Sequence, residues 1–99
     1  MGWNNGGAYR SATAMVELGQ HIAHIVTASE WRTIQPLFRN ANRGDGPFDI
    51  AARDAARMAR IFRTAAASPR MPAFWATSAR ELADVADRHA NAGRAWSWS

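Results

Sequence analysis

Residues 51–67 read AARDAARMARIFRTAAA, and this stretch decides the fold class. Alanine and arginine are strong helix formers, and neither glycine nor proline interrupts the run. Ala55, Met58, Ala59, Phe62 and Ala66 share one face at helical spacing, with Ile61 flanking it. A face so rich in alanine lets a neighbouring helix come close, yet buries little area of its own. Downstream, Ser68-Pro69-Arg70-Met71-Pro72 breaks the helix, and Pro72 suits the first position of another expected over about 72–92. That helix places Trp75, Ala79, Leu82, Ala86 and His89 in one stripe, and Gly93 follows as a left-handed cap.

Upstream, Met15, Leu18, Ile22 and Ile25 recur at spacings of 3, 4 and 3, which predicts a helix over about 12–28. Ser29 opens Ser-Glu-Trp-Arg as an N-cap with a carboxylate in the first turn. The helix it starts carries Trp31, Ile34, Leu37 and Phe38 inward, and Pro36 is expected to kink it and end it near Phe38. Residues 39–47 read as a loop, and Phe48-Asp49-Ile50 as a short extended segment dropping Phe and Ile into the core. The first ten residues are glycine-rich without helical period, while Trp96-Ser97-Trp98-Ser99 alternates with period 2. The expected architecture is mainly α, with about four helices in one compact domain over 1–99 and a short two-stranded β pairing of the N- and C-termini.

Composition bounds the rest. The chain has 99 residues, of which 22 are Ala, so the core must lean on five Trp and four Phe. It has no Cys, which excludes a disulfide scaffold, a Cys-zinc site and a thiol nucleophile. No apolar stretch is long enough to span a membrane, and Met-Gly-Trp-Asn-Asn-Gly-Gly lacks the features of a signal peptide, so a soluble cytoplasmic protein is expected. All twelve basic residues are Arg, which together with the alanine excess reads as the coding bias of a GC-rich genome. The net charge of +4 favours acidic partners or nucleic acid only weakly.

Several landmarks run together along the chain: Met1-Gly2-Trp3-Asn4, Ser29-Glu30-Trp31-Arg32, Leu37-Phe38, Phe48 to Ile50, Met71-Pro72 before Trp75, Glu81-Leu82-Ala83 and the closing Trp96-Ser97-Trp98-Ser99. In these the chain resembles a group of small proteins of Streptomyces and related actinobacteria. The resemblance spans nearly the whole chain and rests on aromatic, structural positions. It implies a bacterial cytoplasmic protein folding as one unit, and it implies no activity, cofactor or site residue.

Three constellations bear on function. Glu17, His21 and His24 lie on one flank of the first helix at i, i+4 and i+7, a spacing that would serve a divalent metal if other helices supplied ligands. The remaining carboxylates are scattered, so a solvated flank with a Glu17–His21 pair is expected, and no metal or cofactor. Arg53, Arg57 and Arg60 form a row on the third helix, with Arg63 beside them, that would track a phosphate backbone. Asp49 and Asp54 near the row, and Glu81, Asp84 and Asp87 on the fourth helix, favour a salt-bridged face instead. No nucleophile elbow, paired carboxylates or phosphate-binding glycine loop can be placed, so no catalytic residue is assigned.

The surplus of Trp is the distinctive signal. Trp31, Trp75 and Trp96 serve as core, whereas Trp3 and Trp98 lie in terminal segments that a small domain need not cover. Trp and Arg dominate protein–protein hot spots. The expected function is a non-enzymatic interaction or regulatory module using Trp3, Trp96 and Trp98, with another protein or an identical subunit as partner. Two alternatives stand beside it: termini that simply clamp a small core, and a nucleic-acid-binding accessory protein using Arg53, Arg57 and Arg60.

Overall fold

Each helix forms where the apolar period lies, and its ends are set by local hydrogen bonds. The computed structural model describes residues 2–5, 9–43 and 46–99. In chain order these give β1 (Gly2–Asn4), β2 (Tyr9–Ser11), α1 (Ala12–Ala23), α2 (Ala28–Arg43), β3 (Phe48–Ile50), α3 (Ala52–Ala67), α4 (Ala73–Asn91) and β4 (Trp96–Trp98). Ser11 caps α1, its Oγ accepting the Ala14 N–H at 3.0 Å. The helix stops at Ala23, short of the expected residue 28, because Thr27 opens the next one. Thr27 Oγ1 accepts the Glu30 N–H at 3.1 Å, while Glu30 Oε1 accepts the Thr27 N–H at 2.8 Å. This reciprocal capping box moves the start of α2 from the expected Ser29 to Thr27.

Proline does not end α2. The helix continues through Pro36 to Arg43, and the expected loop begins only after it. Leu37, Phe38 and Ala41, all beyond the proline, are buried. Their burial offsets the roughly 3 kcal/mol that an internal proline costs. Residues 44 and 45 of the expected loop lie outside the described residues.

α3 and α4 form the most extensive helix pair. Their buried positions are largely alanine: Ala55, Ala59, Ala65 and Ala66 on one, Ala76, Ala79, Ala83 and Ala86 on the other. The expected fourth helix begins one residue late, at Ala73, with Pro72 as its cap. It ends in a Schellman motif, with Arg94 N–H bonded to His89 O and Gly93 N–H to Ala90 O, both at 3.0 Å. Gly93 takes the left-handed φ of +67° that this ending requires, as its sequence position implied.

The strands close the helices at one end. β1 and β2 pair antiparallel, with Trp3 opposite Arg10. β3 and β4 pair antiparallel, with Phe48 opposite Trp98 and Ile50 opposite Trp96. The termini do meet, through an exchanged main-chain pair: Asn4 N–H to Ser99 O at 2.7 Å and Ser99 N–H to Asn4 O at 2.9 Å. The ladder of β4, however, runs along β3 rather than along the N-terminal segment. Phe48-Asp49-Ile50 alternates in the same register as the tail, and Phe48 gives Trp98 a ring to stack on at 5.7 Å and 14°. Among the described residues, no helix is long and apolar enough to cross a membrane.

The two β4 indoles differ in one respect. Trp96 Nε1 donates to Asn5 O at 2.6 Å, whereas Trp98 Nε1 has no hydrogen-bond partner among the described residues. Trp98→Ala should lower the unfolding free energy by about 3–5 kcal/mol, read from urea melts. Trp96→Phe should cost about 1–3 kcal/mol more than Trp98→Phe, because only the former strands a buried carbonyl. Equal losses for the two phenylalanine variants would contradict this assignment.

Candidate functional site

The indoles expected to face a partner face inward. Trp3 is 7 % exposed, and Trp96 and Trp98 are 0 % exposed. Trp98 sits between Phe48, Trp3 and Trp96, the latter two edge-on at centroid distances of 6.5 and 5.1 Å. Trp3 Nε1 donates to Ala41 O at 2.9 Å, tying β1 to the end of α2. Trp3, Trp96 and Trp98, expected as an interaction surface, are buried against one another, the arrangement a terminal clamp calls for.

The arginine row is exposed but divided. Arg57 reaches Asp54 at 3.9 Å on its own helix. Arg63 is bound to α4, with Nη2 2.9 Å from Asp84 and 2.5 Å from Asp87. Hydrogen bonding first to Asp87 and then to Asp84 raises its pKa above the usual arginine value. Arg57 and Arg60 line a shallow cleft of about 290 Å³ with Thr33, Thr64, Ile61 and Glu30. Both threonine hydroxyls donate to their own helix carbonyls, and Glu30 is the α2 capping carboxylate. Arg53 does not line that cleft.

The histidines also separate. The His21 ring stacks on Trp75 at 5.3 Å and 28°, while the His24 carbonyl accepts from Arg70 Nη2 at 2.8 Å. His89, half-buried, holds Val85 O through Nδ1 at 2.9 Å, the structural role its position in the stripe suggested. Among the described residues, no three His or carboxylate groups are placed to hold a metal ion.

A depression of a different kind lies between α1 and α2. It is an open trough of about 460 Å³. Its floor is Gly19, Ala23, Trp31 and Phe38, the two rings stacked at 5.8 Å and 19°. Gly19 makes this floor possible: a Cβ there would meet Phe38 Cδ1 at 3.0 Å. Trp31 stays half-buried, and Val16 at the edge is 37 % exposed. The rim is Gln20, Gln35, Arg39, Asn42 and Arg43, with no carboxylate among the lining residues. Arg43 also has an interaction of its own. Trp31 was expected simply as core, so the trough was missed. The available signal was Gly19, a helix breaker at a buried position of an otherwise regular helix.

One further apolar group is prominent. Phe74, at the start of α4, is 70 % exposed and stands edge-on to Trp75 at 4.9 Å.

Among known protein families, the model described as a domain of unknown function (DUF7739) matches residues 2–99. No curated protein and no solved structure matches the chain.

Gly19→Ala tests how closely α1 rests on Phe38. The added methyl must displace a stacked, buried ring, so the variant should lose about 1–3 kcal/mol despite its better helix propensity. A variant as stable as the parent would show that the ring yields freely.

Proposed function

We propose that this chain, which belongs to the DUF7739 family, is a non-enzymatic protein-interaction module whose partner seats in the α1–α2 trough. The observation that carries this reading is Trp31, stacked on Phe38 yet left half-buried in the lining of the α1–α2 trough. Trp3, Trp96 and Trp98 are spent on the core, so Trp31 with Arg39 nearby forms the Trp–Arg combination typical of binding hot spots. The polar rim is amide and guanidinium, groups that hold a partner rather than transfer its protons. We take the compartment to be the cytoplasm and the host to be a GC-rich actinobacterium. The all-arginine basic set and the family-like landmarks support that placement.

A second reading, nucleic-acid binding through Arg53, Arg57 and Arg60, is favoured by the cleft that Arg57 and Arg60 share with two hydroxyls. Glu30 in that cleft and Asp54 beside Arg57 weaken it.

A photo-crosslinking side chain placed at Gln35, on the trough rim, should give a discrete adduct with another protein in the native host. The same group at Thr77, exposed on α4, should not. An adduct of twice the 10.9 kDa chain would identify an identical subunit. Equal, diffuse labelling from both positions would reject the trough. Titration with duplex DNA decides the second reading: binding that weakens steeply with salt is required, and its absence at low salt ends it.

A further inference from the structure

We propose that the occupant of the α1–α2 trough is a short acidic segment of a different protein, carrying one large apolar side chain as anchor. This rests on the interaction reading above and names the chemistry of the partner.

The lining divides into two regions. Val16, Gly19, Ala23, Trp31 and Phe38 offer apolar and aromatic surface, on which a Phe, Trp or Leu side chain would be covered. Arg39 adds an exposed positive charge to the rim, and no lining residue is a carboxylate; Arg43, one turn on, is engaged in an interaction of its own. The amides of Gln20, Gln35 and Asn42 supply donors and acceptors for the main chain of an extended or helical segment. An apolar anchor on the ring floor with a carboxylate toward Arg39 satisfies both regions at once.

Charge also argues against a second copy of this chain. The chain carries a net +4, so self-association brings like charge together. Among the described residues its one strongly exposed aromatic ring, that of Phe74, is the natural candidate to enter a trough of this kind. It lies four residues from Arg70, and docking it would bring another cation toward the cationic rim. An acidic partner meets no such opposition.

The test uses the full chain labelled with nitrogen-15 and a synthetic peptide of about ten residues, rich in Glu and Asp, with one central Phe. Two control peptides replace the acids by Lys, or the Phe by Ala. The acidic Phe peptide should shift the Gly19 amide and the Trp31 indole N–H signals, and both controls should bind at least about tenfold more weakly. Arg39 is exposed, so Arg39→Glu should keep the unfolding midpoint and weaken the acidic peptide by about tenfold. The proposal is overturned by equal binding of the Lys peptide, by equal binding of the Ala peptide, or by no response in the trough. It is overturned equally by trough signals that move with protein concentration alone, which would mark self-association, or with duplex DNA. A protein adduct at Gln35 without any response to the acidic peptide would sink this partner chemistry while sparing the interaction reading.

Discussion

Four rings, those of Trp3, Phe48, Trp96 and Trp98, meet where the two chain ends come together, and the helices depend on that layer to complete their core. The reason lies in what α3 and α4 lack. Their alanine faces permit a close approach, but each methyl removes little surface from water. An aromatic side chain buries roughly 150–250 Å², several times the contribution of an alanine. The short strands therefore act as a lid of large side chains over a bundle of small ones. Trp3 fixes the lid to α2 through Ala41 O, and Trp96 fixes it to the N-terminal segment through Asn5 O.

Much of this architecture is legible in residue spacing. The stripes of α1, α3 and α4, the break at 68–72, the left-handed Gly93 and the extended Phe48–Ile50 all follow from period and turn chemistry. What spacing misreads are competitions. Ser29 and Thr27 are both good caps, and the choice falls to Thr27 because only Thr27 has Glu30 three residues on. Pro36 is a helix breaker by propensity, yet Leu37, Phe38 and Ala41 bury enough surface to carry α2 past it. The tail's alternation announces a strand but not its partner. Both the N-terminal segment and Phe48–Ile50 were available, and Phe48 stacking on Trp98 settles it.

The candidate site was far less legible, and for a physical reason. A trough between two helices is a property of their separation, and separation depends on which side chains interlock. Trp31 carries the same spacing signal whether it is fully buried or left half open. The close approach of Phe38 to Gly19, which leaves a ring face accessible, appears only once the two helices are packed. The arginine row and the acidic fourth helix that would neutralise it are both visible in the sequence, but not which arginine crosses to it. Arg63 turns toward Asp84 and Asp87 on α4, a pairing across two helices that no single-helix spacing contains.

The hydrogen bonds that hold the aromatic lid join residues 38 and 91 positions apart. Contacts so distant must first meet the entropy of closing a long loop, whereas the α3–α4 hairpin needs only a short turn. The sequence separation of these contacts thus favours an order in folding. Helical pairs assemble early from local contacts, and the tryptophan layer closes late. On a ribosome, residues 96–98 emerge after every helix they cover, so the nascent chain exposes an open apolar end until they arrive. Apolar surface left open for such an interval is what exposes a nascent chain to aggregation.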